Sequence, residues 1–407
     1  MTHKNSVLIS GKKNSLKLIY TSGLVFLKSL FFYLFDSIIL QETSISGDST
    51  KINIVLIRQD AIGDFVMWLD TAKEYRKLYP SDKYRIILVG NALWFDLAKG
   101  LSYWDEVLPI NTKKFKTFSR YRSNILRQVR SLGAQVAVQP TFSREFYHGD
   151  SLIRASNAFH KVSSVGDMSN RNWLKKTLSD RWHTELIPAS QGQMSELERN
   201  AEFFSSLSRM AHFAKFPKLY LPKIKLPQNY AKNKFYVMVP GASADMKKWP
   251  VMFFSTLAEK IYRNTGWNGL ICGTKNEYHL GEQILKTCTA PLENIAGKTE
   301  LVELSGFLSQ SQLIITNDTG TAHISSAVGT STVCILGGGH FGRFVPYPDL
   351  PGQTNKIKAV FHKMHCYGCN WECVYTFNDG EPAPCIANVS VDEVWEEVEK
   401  IIETLAS

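Results

Sequence analysis

Four groups of residues in this chain have types and spacings suited to chemistry. Asp318-Thr319-Gly320-Thr321 follows the apolar run Leu313-Ile314-Ile315-Thr316 and leads into a helical pattern that continues through Ala327. A strand that turns through small residues into a helix points backbone N–H groups at the crevice, and the helix dipole adds partial positive charge there. Phosphate is the guest such a turn suits. Gly320 permits close backbone approach, and His323 lies one turn inside the helix. The plainer reading makes Asp318 an N-cap and His323 a core histidine. Lys247-Lys248-Trp249-Pro250, after Pro240-Gly241-Ala242-Ser243, offers a lysine as a point charge for a diphosphate, or else a solvated loop with a Trp-Pro helix start. Asp64 follows Gly63 at another strand-to-helix turn, where a general base would face a bound donor, and Asp60 competes with it. The plainer reading leaves Asp64 as a helix N-terminal carboxylate with no chemical role.

The fourth group is Cys366-x2-Cys369-x3-Cys373-x11-Cys385. Four thiolates suit a structural zinc ion, and the first interval has a zinc-knuckle spacing while the others are looser; reduced thiols or a disulfide are the alternatives. The basic stretch Lys113, Lys114, Lys116, Arg120, Arg122, Arg127 and Arg130 carries Phe115, Phe118 and Tyr121 among its charges. Base stacking between phosphate contacts would make it a nucleic-acid surface. A solvated helix face is the simpler account, and contact with anionic membrane or a phosphorylated glycolipid lies between the two.

The elements that must position these groups alternate strand and helix. Lys51 to Ile57 is a β-rich run; the helical pattern of Val66, Leu69, Ala72, Tyr75 and Leu78 follows it and stops at Pro80; Tyr84 to Val89 is the next strand. That is the unit of a parallel sheet. Further strands are expected at 107–110 and 134–138, with helices and outer loops over 145–200. A linker is expected near 222–234, where Pro222, Pro227 and several lysines break the periodicity. The second half repeats the scheme: strands at 234–239, 269–272, 313–316 and 331–336, a helix over 251–263, and an amphipathic helix over 392–405. Two Rossmann-like domains in tandem are expected, over 51–225 and 234–390, with an N-terminal extension 1–50 and a C-terminal helix 391–407.

Composition narrows the classes. At roughly 150 residues per domain, 407 residues give two or three domains; 44% hydrophobic and 21% charged residues exclude wholesale disorder and a polytopic membrane protein. Lys plus Arg is 47 against 37 for Asp plus Glu, and the net charge of +10 favours anionic partners. Seven cysteines are too few for a disulfide-built scaffold and suit a reducing compartment. The apolar stretch from Leu18 to Leu40 is near spanning length but is interrupted by Lys28 and Asp36. Lys17, Thr21 and Lys28 share a helical face, which fits a helix in the membrane interface; the alternative is a helix packed on the protein itself. No Gly-x-Gly-x-x-Gly follows the first strand, which argues against a Rossmann oxidoreductase.

The order of these groups resembles glycosyltransferase family 9, the bacterial heptosyltransferases of lipopolysaccharide synthesis. The resemblance is carried by Ile57-Arg58-Gln59-Asp60-Ala61-Ile62-Gly63-Asp64, by Pro240-Gly241-Ala242-Ser243 with Lys247-Lys248-Trp249-Pro250, by Ala296-Gly297-Lys298-Thr299, and by Asn317-Asp318-Thr319-Gly320-Thr321-Ala322-His323. It covers about residues 52–400. It implies an α/β GT-B fold with the active site in the cleft between two Rossmann-like domains. It implies an inverting transfer of a sugar, heptose from ADP-heptose above all, onto a lipopolysaccharide-type or other cell-surface glycolipid at the cytoplasmic membrane face.

Carried over by position, the catalytic aspartate falls on Asp64 and the donor-binding lysine on Lys247, with Lys248 as the other register. Ser243, Thr319, Gly320 and His323 match donor-phosphate positions; Asp318 and Glu277 match polar positions around the donor sugar and nucleoside. No metal cofactor is implied for the transfer. A GT-B protein that only binds nucleotide or glycan is the competing class. The segment usually written Phe-Gly-Pro-Thr in this family is here Leu336-Gly337-Gly338-Gly339-His340, and the N-terminal fifty residues are additional.

Overall fold

The computed structural model describes residues 27–41, 50–221, 224–226, 230 and 232–406. Lys17, Thr21, Pro222 and Pro227, on which the membrane-face and linker readings partly rested, lie outside them. The described chain forms two six-stranded parallel sheets, each in its own compact unit.

The first sheet contains β1 (Ile52–Arg58), β2 (Tyr84–Asn91), β3 (Glu106–Ile110), β4 (Val136–Gln139), β5 (His160–Ser164) and β6 (Glu185–Ile187), in the order β3-β2-β1-β4-β5-β6. The second contains β7 (Phe235–Val239), β8 (Asn268–Ile271), β9 (Leu292–Asn294), β10 (Leu313–Asn317), β11 (Thr332–Ile335) and β12 (Ile357–Val360), in the order β12-β11-β10-β7-β8-β9. Numbered within each sheet, the two orders are the same doubly wound order, 3-2-1-4-5-6. The tandem α/β architecture expected from the sequence is present.

Continuous apolar runs explain the central strands. β1 buries every residue from Asn53 to Arg58, and all of β7 and β10 is buried, as parallel strands covered on both faces require. Where that signal is weak, strands escape the sequence. His160-Lys161-Val162-Ser163-Ser164 holds one large aliphatic side chain yet pairs along β4, so the region expected to be only helices and loops supplies two strands. The three-residue β9, and the half-exposed β12 that follows the strand expected at 331–336, were likewise unforeseen.

Packing divides the chain differently from sequence order. Residues 60–78 and 93–103 belong with 190–407, and the rest of the first half forms the other unit. The helix α2 (Ile62–Ala72) accounts for this, because its buried side lies on α4 (Glu196–Ser208) and on α6 (Gly320–Ala327). The C-terminal helix α7 (Val391–Ala406) joins the same unit, burying Val394, Val398 and Ile401 against the 251–265 helix α5 (Val251–Thr265) and the second sheet.

The first unit is locked by buried charge. Helix α1 (residues 27–41) packs Phe32, Ile39 and Leu40 inward. Its Asp36 accepts two hydrogen bonds from Arg122, at 2.8 and 2.5 Å, on α3 (Arg120–Ser131). Arg122 also donates to the carbonyls of Phe115 and Tyr147 and to Ser151. Arg144 and Arg171 share the fully buried Asp150 in a second network. Removing one partner of such a pair leaves an uncompensated charge, which costs about 3–5 kcal/mol. Asp36→Ala is therefore expected to destabilise the first unit by that amount in denaturant unfolding, with Asp36→Asn losing less; an unchanged midpoint would show that α1 is not held by this pair.

Candidate functional site

In the second unit, β7 and β10 lie side by side where the strand order reverses, the position at which open α/β sheets bind ligands beyond their strand ends. Asn317, at the end of β10, joins the two loops there. Its Nδ2 donates to the carbonyls of Pro240 (2.8 Å) and Gly241 (3.2 Å), and its Oδ1 accepts from the Trp249 N–H at 3.0 Å. The buried Trp249 donates its indole N–H to Val389 at 2.8 Å, so the lysine loop before it is anchored at one end. The motif gives Asn317 no distinguishing mark, because a buried side-chain amide spanning two backbones leaves no signal in one sequence.

An open pocket of about 750 Å³ lies over this point. Its floor is the start of two helices. Gly320 opens α6, and a Cβ placed on it would come within 2.9 Å of the Ile62 side chain and 3.3 Å of the Gly63 nitrogen, at the start of α2. A Cβ on Gly63 would in turn come within 2.8 Å of the His323 ring. Neither helix has a side-chain N-cap: Ala61 has no group to offer, and Thr319 makes no capping bond, its hydroxyl lying 3.2 Å from that of Thr316. Elsewhere Ser119, Asn172 and Ser195 cap their helices. The two uncapped N-termini bring positive dipole ends to one place, an arrangement suited to an anion.

Ser243, Glu277, Thr319 and Gly320 line the pocket as expected, and Gly297 and Thr299 join them from the Ala-Gly-Lys-Thr segment. Lys298 is turned away, donating to the Asn294 carbonyl at 3.0 Å. Glu277 is fixed by the N–H and hydroxyl of Thr274, at 2.7 and 2.8 Å, and its carboxylate fills the space that a side chain on Gly241 would need. Leu93, Leu301, Leu304 and Ile324 make an apolar wall that the sequence had not marked. Asp64 stands in the first turn of α2, immediately after the lining residues Ala61, Ile62 and Gly63. Asp60 gives its carbonyl to the Trp94 indole, 3.0 Å away.

The two lysines part company. Lys248 lines the pocket and pairs with Asp245 at 2.6 Å, while the Lys247 ammonium lies 4.4 Å from the Trp371 ring centre. Burial lowers the Lys247 pKa, and Asp318 opposes that shift. Asp318 itself is pushed up to about 6 by burial, with Lys247 pulling the other way. Trp371 and its neighbour Asn370 hold left-handed backbone, at φ 63° and 52°. The Trp371 indole covers Gly337 and Gly339, and the Tyr367 ring covers Gly338; a Cβ at any of the three would come within 2.6 Å of a ring. The glycine run that departs from the family's usual segment is therefore the floor for two aromatic rings.

Those rings belong to the cysteine segment. Cys366, Cys369, Cys373 and Cys385 line one small pocket with Trp371, Met246 and Met364. All seven cysteines are free thiols. Among the described residues no three Cys, His, Asp or Glu side chains are placed to hold a metal ion, so the four sulfurs share a pocket without forming a ligand set.

His323 is buried, and its Nδ1 lies 2.9 Å from the Tyr347 hydroxyl. Burial lowers its pKa to about 4. Because the unfolded chain takes this proton near pH 6.5 and the folded one only near 4, stability is lost as pH falls through that window, by about 3 kcal/mol for this group. Denaturant unfolding of the wild type and His323→Asn across that range should show a difference that shrinks toward pH 4; a constant difference would mean that His323 titrates alike in both states.

The sequence model of glycosyltransferase family 9 (heptosyltransferase) matches residues 191–368. Lipooligosaccharide heptosyltransferase 2 of Campylobacter jejuni is 28% identical over 204 residues, which are 48% of this chain and 61% of that protein. The chain thus matches less than two thirds of the length of that relative. Among solved structures, a family 9 glycosyltransferase from Veillonella parvula aligns with TM-score 0.66 and 14% identity, covering 89% of this chain and all of that one. Escherichia coli ADP-heptose lipopolysaccharide heptosyltransferase II aligns with TM-score 0.61 and 15% identity, covering 88% of this chain and 100% of that one. The fold of these structures is the GT-B arrangement expected from the motifs. With its motifs, its two sheets and the match over residues 191–368 in agreement, the chain is similar to glycosyltransferase family 9 in sequence over that segment and in fold over both sheets.

Proposed function

We propose that this protein transfers a sugar from a nucleoside-diphosphate sugar to a glycolipid acceptor of the lipopolysaccharide type, with inversion at the anomeric carbon. The observation that carries the reading is the convergence of two uncapped helix N-termini, at Gly63 and Gly320, on one pocket beside Ser243 and Lys248. A diphosphate is the part of the donor that such a place holds. Glu277, in the pocket lining, and Asp318, next to the lining residue Thr319, are the polar groups we assign to the donor's sugar and nucleoside, with the apolar wall of Leu93, Leu301, Leu304 and Ile324 for the base.

In the transfer, Asp64 takes the proton from the acceptor hydroxyl while that oxygen forms its bond to the anomeric carbon. The bond from that carbon to the diphosphate breaks with its electron pair leaving on the phosphate oxygen. The charge released there is met by the two helix N-termini and by the lysines, so this chain's own groups supply the electrostatic stabilisation. Heptose carried on ADP is the donor we favour, since heptosyltransferases are the relatives, and the cytoplasmic face of the membrane is where such an acceptor is met. Cys366, Cys369, Cys373 and Cys385 we take as structural, holding Tyr367 and Trp371 on the glycine run. Metal analysis of the purified protein tells whether zinc joins the four sulfurs.

Calorimetric titration with ADP, GDP, UDP and CDP in turn tests the donor: saturable binding of ADP alone supports ADP-heptose, another base keeps the transferase without the heptose, and no binding to folded protein favours the non-catalytic class. Asp64→Asn should lower the transfer rate by about 10²–10⁴-fold while nucleotide affinity stays within about threefold; normal turnover would remove Asp64 as the base. Trp371→Leu should weaken nucleotide binding by roughly threefold to thirtyfold through the loss of its contact with the Lys247 ammonium, and Trp371→Phe should restore much of it. Equal affinities for both variants and the wild type would separate Lys247 from the donor.

A further inference from the structure

Helix α1 has two apolar faces. Phe32, Ile39 and Leu40, with Ser29 and Asp36, are buried against the first unit. On the other side Leu27, Leu30, Phe31, Leu34 and Ile38 stand out, between 40% and 64% exposed. Their spacing of three, one, three and four residues is one stripe along the helix. A helix that is apolar all round is normally buried all round, and among the described residues nothing covers this stripe. Phe118, also largely exposed, extends it: its ring stacks on Phe32 with centres 3.8 Å apart and meets Phe35 edge-on at 5.6 Å.

The flank of the stripe is basic. Arg122, which holds Asp36, also binds the Phe115 carbonyl and lies 4.4 Å from the Phe115 ring centre, so the turn bearing Lys113, Lys114 and Lys116 is fastened beside α1. Lys113, Lys114, Lys116 and Arg120 are exposed. Lys28 and Lys175 stand on the Tyr147 ring, 5.6 and 4.7 Å from its centre. The carboxylate among them, Glu145, is already matched by Lys116 at 2.6 Å and His148 at 2.7 Å. Asp36 is spent on Arg122. Lys28, Lys113, Lys114 and Lys175 make no ion pair among the described residues, and an apolar stripe bordered by such cations complements an anionic lipid surface. No helix among the described residues is long and apolar enough to cross a membrane, so the stripe would lie in the interface plane.

We propose that the first unit docks on anionic bilayers through the outer stripe of α1 and Phe118, with Lys28, Lys113, Lys114 and Lys175 against the lipid headgroups. The placement rests on these residues alone and not on the donor chemistry of the second unit.

Co-sedimentation of the full chain with vesicles of phosphatidylcholine, and of phosphatidylcholine and phosphatidylglycerol in equal amounts, tests it with no nucleotide present. The expected result is binding to the anionic vesicles that weakens with salt, on the order of tenfold lower affinity for Phe31→Asp with Leu34→Asp, and a shallower salt dependence for Lys113→Glu with Lys114→Glu. Circular dichroism and thermal unfolding should match the wild type, because all four side chains are exposed. Absence of binding, equal binding to both vesicles, or full binding by the apolar double variant overturns the proposal. So does a variant that binds lipid like the wild type but dissociates in light scattering, since the stripe would then cover a second copy of the chain. Each of these outcomes leaves the transferase reading standing, and a failure of nucleotide binding leaves this one standing.

Discussion

No side chain can stand between Gly63 and Gly320, and the site depends on that. With hydrogen as the side chain at both positions, α2 and α6 bring their first turns into contact, with the His323 ring packed against Gly63. A methyl group on Gly63 would come within 2.8 Å of the His323 ring and one on Gly320 within 2.9 Å of Ile62, so either would force the two first turns to shift. The missing N-caps belong to the same constraint. A serine or aspartate in place of Ala61 would satisfy the α2 N–H groups from within the protein, and the dipole would then act on the cap and not on a ligand.

The charges around this contact are set by burial more than by pairing. Asp318 is raised and Lys247 lowered, each mainly through desolvation and each softened by the other. His323 is kept neutral by the apolar surroundings that Tyr347 completes. A cation held over an indole needs that ring in a defined place, and here the ring is carried by a left-handed turn at Asn370 and Trp371 and seated on glycines. The cysteine segment and Lys247 are thereby parts of one piece of packing, although more than a hundred residues separate them in the chain.

Much of this was legible in the sequence. Apolar runs marked the central strands, and small-residue turns after them marked Ser243, Thr319 and Gly320, which line the pocket, because small polar residues at a strand end stand out against a core. What stayed hidden was of two kinds. β5 and the edge strands β6, β9 and β12 are short and carry few large apolar side chains, and such strands owe their pairing to neighbours already in place. Asn317, Leu93, Leu301 and Tyr347 act through distances across the fold, and nothing local distinguishes an amide that clasps two backbones from one that faces water. The departure at Gly337-Gly338-Gly339 was visible as a difference but not as a cause, because the rings that require it lie some thirty residues further on.

The packing of α2 has one more consequence. The helix is encoded between β1 and β2 of the first sheet but is buried among elements of the second unit, so no single cut in the chain separates the two. For recombination between relatives this is a restriction: a chimaera that exchanged everything after residue 190 would set a new α6 against an inherited α2. The joint at Gly63 and Gly320 must then fit between two parents, and a mismatch there would silence the protein while both halves remained folded. Segments 60–78, 93–103 and 190–407 form one inheritable module, and only together do they transplant the pocket.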